Sequence, residues 1–323
     1  ESGSISTSAI GKPVRESVYS IRIDSFISEY IPLVSLGQDW YCRASMKTVA
    51  AIHDLSCHAK SSLTVVIPTL AALQVEASIL PTALLSTQTD GFVDYAYVDL
   101  TETMDRILHH WKSLELHFDA IYSGFLGSQH QIETVSSLID WQRANSADPI
   151  VLIDPVMGDQ GEPYGPMTAD LMRKMQHLVT QANVITPNVT EAALLLGEDF
   201  DPALSLETAG IWAQRLSDLG PDRVAITSVM DRSDGLVVAY DAAERTIRHF
   251  RQQYAPVSFP GCGDLFASIL CALLVRGTPF YTAVQRSSEL VSTAVHRSWR
   301  AAVPVRMGVA VELIIADLVG EVS

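Results

Sequence analysis

Short apolar, β-branched runs alternate with longer amphipathic stretches along most of this chain, and that alternation restricts the fold more than any other feature. TVAAI, VEASIL, FDAIYSG, PIVLIDP, NVITP and RVAITSV read as buried strands. Between them SSLTVVIPTLAAL, TETMDRILHHWKSL, HQIETVSSLIDWQRA, MTADLMRKMQHLVTQ and NVTEAALLLG carry helical spacing. Ser61 or Ser62 starts the first helix, Thr101 caps the second, and a glycine ends the last. PTALLSTQTDGF is expected as a loop and GLVVAYDAAERTIRHFRQQ as an antiparallel hairpin. Strands alternating with helices form βαβ units, so the expected fold class is α/β with a mostly parallel sheet covered on both faces. Ligands of such sheets lie at the carboxyl ends of the strands. That rule selects the loops HDLS, STQTDG, SGFLGS, DPVMGDQG, TPNVTE and TSVMD, together with the GCGD turn.

Residues 1–45 break the pattern: they are Ser-rich at first and carry scattered apolar residues. They read as an N-terminal extension to a domain over 46–323. A net charge of −15 argues against a nucleic-acid partner, since phosphate backbones need a basic stripe. The longest apolar window contains Pro68, Glu76 and Pro81, which argues against a membrane span. None of the four cysteines, Cys42, Cys57, Cys262 and Cys271, stands in a metal-binding or redox pair, which suits free thiols in the cytoplasm.

Three motifs carry chemistry. In PGCGD, Gly261 and Gly263 free the backbone so that successive N–H groups, Cys262 included, can converge at a helix N-terminus and hold a phosphoryl group. Asp264 then makes sense as a base acting on an attacking hydroxyl; the plainer alternative is a turn whose aspartate caps a core helix. DPVMGDQG puts Asp154 at a strand end and Asp159 five residues on, a placement that suits Mg²⁺ or an ordinary turn. In TPNVTEA, Asn188 and Glu191 share the first turn of a helix, as a capping box, as a metal-water and phosphate contact, or as both. The G-x-x-x-x-G-K-[ST] phosphate loop, the protein-kinase set and the dinucleotide fingerprint are all missing.

The order HDLS, STQTDGF, SGFLGS, DPVMGD-x-G-x-x-Y, ITPNVTEA and PGCGD resembles the ribokinase-like superfamily, and more narrowly the pyridoxal/pyridoxamine kinases of vitamin B6 salvage, from about Met46 to Gly277. The resemblance implies a three-layer αβα sandwich, a homodimer, and ATP-dependent phosphorylation of the 5′-hydroxymethyl group of a B6 vitamer assisted by Mg²⁺. It makes Asp264 the base, with the amides of Gly261, Cys262 and Gly263 as the anion hole. Glu191 and Asp154 fall to the metal. Asp154, Asp159, Thr186, Asn188, Glu191 and Thr227 surround the nucleotide phosphates, and Asp54, Thr89 and Phe125 face the pyridine ring. The chain departs from its relatives on the ring side: SCHAKSS lacks their glycines, Gln88 replaces a ring-contacting histidine, Asp90 a glycine, and Phe125 a tyrosine. Cys262 stands where threonine or alanine is usual. Hydroxymethylpyrimidine kinases of thiamin synthesis share the late motifs, and a non-catalytic binding relative is the remaining alternative.

Overall fold

The computed structural model describes residues 46–322 apart from 146, 147, 166, 232, 233, 253, 254 and 256; the expected extension over 1–45 lies outside the described residues. The strands are β1 (Lys47–Ser56), β2 (Val75–Leu85), β3 (Tyr97–Asp99), β4 (Ala120–Ser123), β5 (Ile150–Ile153), β6 (Gly158–Asp159), β7 (Glu162–Pro163), β8 (Val184–Ile185), β9 (Arg223–Asp231), β10 (Asp234–Asp241) and β11 (Thr246–Arg251). The helices are α1 (Leu63–Ala72), α2 (Thr101–Ser113), α3 (Gln129–Ala144), α4 (Ala169–Val179), α5 (Val189–Leu196), α6 (Leu206–Ser217), α7 (Cys262–Val275), α8 (Phe280–Arg300) and α9 (Ile315–Gly320).

Nine strands form one sheet in the order β11-β10-β9-β8-β5-β4-β1-β2-β3, and β6 and β7 pair in a separate small hairpin. From β2 to β9 every neighbouring pair is parallel. β3, β10 and β11 are antiparallel additions at the edges. Both faces are covered, and period-two alternation divides the strands between two cores. Along β1, Val49 and Ala51 join the core under α1, α7, α8 and α9, whereas Ala50 and Ile52 join the core under α2 to α6. α7 is apolar all round, with every residue from Leu265 to Val275 buried, which explains a run without a polar face. No helix among the described residues is long and apolar enough to cross a membrane.

The chain passes from β1 outward to β2 and then returns to place β4 on the other side of β1. The strand order therefore reverses between β1 and β4, and the crevice outside their carboxyl ends is where a doubly wound sheet holds its ligand. Three local expectations change. β1 continues through His53 and Asp54 to Ser56, so HDLS is strand. β2 continues through PTALL, because Pro81 stands opposite His53, where the β1 register shifts and a missing ladder N–H is tolerated. Thr101 does not cap α2: its own N–H donates to Asp99 Oδ1 at 2.8 Å, which leaves the capping to Asp99.

Candidate active site

At the start of α7 the N-cap Gly261 has φ 83°, and an added Cβ would stand 3.0 Å from the Lys60 carbonyl oxygen, so both conformation and space require glycine. The N–H groups of Gly261, Cys262 and Gly263 find no backbone acceptor among the described residues, as expected for a first helical turn. An added Cβ at Gly263 would stand 3.9 Å from Asp154 Oδ2, so this cradle opens directly toward that carboxylate. The Cys262 sulfur accepts the Phe259 N–H, but burial outweighs this and pushes the thiol pKa up to about 12, so it stays protonated. Asp264 does not cap α7. Its Oδ2 accepts the Ser62 N–H at 2.8 Å, while Oδ1 lies 4.0 Å from His53 Nδ1. Burial, and to a lesser degree the charge of Asp54, raise the Asp264 pKa to about 6.

Asp154 and Glu191 are buried side by side, at the end of β5 and in the first turn of α5. Burial first, then the neighbouring Asp264 carboxylate, lifts Asp154 to about 8. Burial, then Asp154, raises Glu191 as well. The capping-box reading of TPNVTEA holds: Asn188 Oδ1 accepts the Glu191 N–H at 2.9 Å, and Glu191 Oε2 accepts the Asn188 N–H at 2.8 Å. The other Glu191 oxygen accepts the Met157 N–H at 3.2 Å, which fastens the DPVMGD loop to α5. The Asn188 amide donates to the Gly158 carbonyl at 2.9 Å, and Asn188 also forms an isolated bridge with Thr227. Thr186 is buried beside Asp154. Asp159 is exposed on the β6–β7 hairpin, where its carboxylate takes the Gln160 N–H and lies near enough to Glu191 to raise its pKa. No cationic side chain offsets the Asp54, Asp154, Glu191 and Asp264 carboxylates among the described residues. Nor do three or more Asp, Glu, His or Cys residues converge there to hold a metal alone. Paired buried carboxylates with no cation, facing an amide cradle, fit Mg²⁺, which keeps several waters and shares phosphate oxygens.

On the other side of Asp264 lies the end of β1. Asp54 is buried, its Oδ1 accepting the Ser62 hydroxyl at 2.5 Å and its Oδ2 the Ser56 hydroxyl at 3.4 Å. Ser62 has φ 49° and ψ −129°, a region proper to glycine that costs a serine about 1–3 kcal/mol. Ala59 is also at positive φ, 66°. The loop thus keeps a glycine-like path without the glycines. Phe125 is half-buried after β4, and Thr89 is exposed on the loop after β2 with no protein hydrogen bond among the described residues. The Gln88 side chain is taken up by the protein itself. Its buried amide donates to the Asp90 carbonyl and, at 2.8 Å, to the Arg306 carbonyl, so it binds the second loop to the C-terminal segment.

His53 and Ser62 are site residues that motif spacing missed. His53 is fully buried, both its ring nitrogens lack a hydrogen-bond partner among the described residues, and burial lowers its pKa to about 3. Its ring meets Tyr122 edge-on at 4.4 Å. An added Cβ at Gly124 would lie 2.3 Å from its Nδ1, so the glycine of SGF makes room for this imidazole. The one sequence signal was a histidine beside an aspartate at a strand end.

A pyridoxine/pyridoxal/pyridoxamine kinase of Bordetella avium is 33% identical over 54% of this chain and 59% of its own length. The matched stretch therefore spans less than two thirds of that relative. A Bacteroides thetaiotaomicron protein assigned as a phosphomethylpyrimidine kinase, crystallised with pyridoxal, superposes with a TM-score of 0.80 at 36% identity, covering 84% of this chain and 96% of that one. Pyridoxal kinase from Lactobacillus plantarum follows at 0.78 and 29%, covering 86% and 98%. The sequence profile described as phosphomethylpyrimidine kinase matches residues 63–306, and by that match the chain belongs to the phosphomethylpyrimidine kinase family, with the ribokinase-like α/β fold of its pyridoxal kinase neighbours.

Proposed function

We propose that residues 46–323 form a cytoplasmic pyridoxal/pyridoxamine kinase domain that transfers the γ-phosphoryl group of ATP to the 5′-hydroxymethyl oxygen of a B6 vitamer, with 1–45 as an extension. The observation that carries the reading is the relative crystallised with pyridoxal, which matches this chain at 36% identity over 84% of its length. The site chemistry supports it. Asp264 takes the hydroxyl proton as the new O–P bond forms and the bond to ADP breaks. The Gly261, Cys262 and Gly263 amides receive the charge on the transferring group, in a reaction that asks mainly for positioning and electrostatic stabilisation. Asp154 and Glu191 hold Mg²⁺, which when bound offsets the negative charge of the phosphates. Asp159, Thr186, Asn188 and Thr227 flank the phosphates, while Asp54, Thr89 and Phe125 face the ring. A homodimer fits the exposed Leu84 and Val98, paired across β2 and β3 at the sheet edge, since exposed apolar surface at an edge suits an interface.

The family profile carries the description phosphomethylpyrimidine kinase, which keeps hydroxymethylpyrimidine as a second substrate reading. ADP release with Mg·ATP and pyridoxal, pyridoxamine, pyridoxine or hydroxymethylpyrimidine separates the two. Preference for a B6 vitamer is the expected result, and a clearly better pyrimidine turnover would replace it. Binding of a vitamer without ADP release would instead make the chain a non-catalytic relative.

A further inference from the structure

We propose that Ser62 is a positioning residue that orients two carboxylates at once, the base Asp264 through its N–H and the ring-facing Asp54 through its hydroxyl. The proposal rests on the kinase reading above. The two bonds leave from one residue, N–H to Asp264 Oδ2 at 2.8 Å and Oγ–H to Asp54 Oδ1 at 2.5 Å. The Ser62 carbonyl accepts the Val65 and Val66 N–H groups, each at 2.9 Å, so the clasp is part of the first turn of α1. Its backbone angles suit glycine, and a glycine would keep the N–H bond without strain. What requires a side chain here is the bond to Asp54. Ser61 does not take its place, since the Ser61 hydroxyl donates to Ser56 at 3.2 Å.

The clasp assigns a role to each carboxylate oxygen. Asp264 Oδ2 is committed to Ser62, which leaves Oδ1, on the His53 side, to receive the substrate proton. Asp54 Oδ1 is likewise committed, which leaves Oδ2 toward the ligand, with only the longer Ser56 contact upon it. A vitamer that engages Asp54 is therefore registered against the base through one residue.

Ser62→Gly and Ser62→Ala test the idea together. Both remove the hydroxyl and keep the N–H, but glycine also relieves the backbone. Both should weaken pyridoxal binding and raise its KM by about tenfold to a hundredfold, the range for a hydrogen bond to a charged group. The KM for ATP should not move, and kcat should fall less than the pyridoxal KM rises. Ser62→Gly should melt about 2–4 °C above Ser62→Ala. The proposal is overturned if wild type and Ser62→Gly bind pyridoxal alike, if the ATP KM rises in parallel, or if the two variants melt together. Absence of vitamer-dependent ADP release by wild type would sink the kinase reading, while the binding and melting measurements would still judge the clasp.

Discussion

Around Asp264, Asp154 and Glu191 the site is built of strand ends, a helix N-terminus and glycine backbone, whereas around Asp54, near the end of β1, it is held by side-chain contacts from Ser56 and the α1 N-cap Ser62. The first half has little freedom to vary: Gly261 is fixed by its φ of 83° and by the Lys60 carbonyl, and Glu191 by three hydrogen bonds, two to Asn188 in the cap and one to Met157 in the DPVMGD loop. The second half rests on other supports. Ser62 bears strain that a glycine would avoid, and the Gln88 amide reaches Arg306, whose guanidinium lies 5.4 Å over the Phe92 ring. The two sides of the site are thus held by different kinds of structure. The second can change while the first stays in place.

The sharpest way to break this division is Asp264→Asn. Turnover should fall by about 10²–10⁴, the range for loss of a general base, with ATP affinity nearly unchanged. Wild-type turnover would remove Asp264 as base and, with it, the contrast between the halves. Gly263→Ala comes next. The added methyl would meet Asp154 Oδ2 at 3.9 Å, an ordinary contact, so the melting temperature should hold while kcat falls by about 10–10² as the cradle fills. A matching loss of stability would show that the glycine serves the fold first.

Gln88→Ala addresses the other half. It leaves the Arg306 carbonyl without its amide donor and should destabilise the protein by about 1–3 kcal/mol in denaturant titration, with vitamer binding weakened and ATP binding spared. If ATP binding weakens equally, the two halves are not separable.

Proton linkage gives the smallest effect. The ordinary aspartate value is 3.8, and the folded protein holds Asp264 at about 6 and Asp154 at about 8. Both are raised, so between these limits the native state binds protons that the unfolded chain has released. The stability due to these groups is present below the unfolded value and is lost as pH rises through the folded ones. Ligand-free protein should therefore melt a few degrees higher near pH 5.5 than near pH 8, and Asp154→Asn should flatten the difference. The same protonation puts the acidic limb of kcat/KM near pH 6, in the opposite direction, because a base must be ionised to act. A scan in which melting follows activity would contradict the assignment.

Local spacing made much of this legible. The βαβ alternation gave the layers, PGCGD the helix N-terminus, and N-x-x-E the capping box, since each is decided within a few residues. HDLS and PTALL were read as loops because polar residues and a proline look like breaks, yet the strands continue there, β1 under cover and β2 past a register shift that accommodates Pro81. Gln88 read as a lost ring contact because its partner stands 218 residues away. Ser62 reads from the sequence as a helix start and His53 as nothing in particular, for the same reason: the Asp264 carboxylate that Ser62 meets is 202 residues downstream, and His53 is defined by what packs around it. Pairing across such distances is set by topology and leaves no periodic mark in the sequence.

The seam between the vitamer loops and residues 306–309 also bears on how the molecule is made. The Lys60 N–H donates to the Met307 carbonyl, Gln88 is tied to Arg306, and an added Cβ at Gly308 would stand 2.3 Å from the Lys60 carbonyl oxygen. A nascent chain emerging from the ribosome can pair β1, β2 and β4 early, but its ring-side loops have no seat until this late segment arrives. Contacts between such distant parts of a chain form slowly, because long loops must close before they are rewarded. The loops around Lys60 and Gln88 are therefore completed late, after the sheet that carries them.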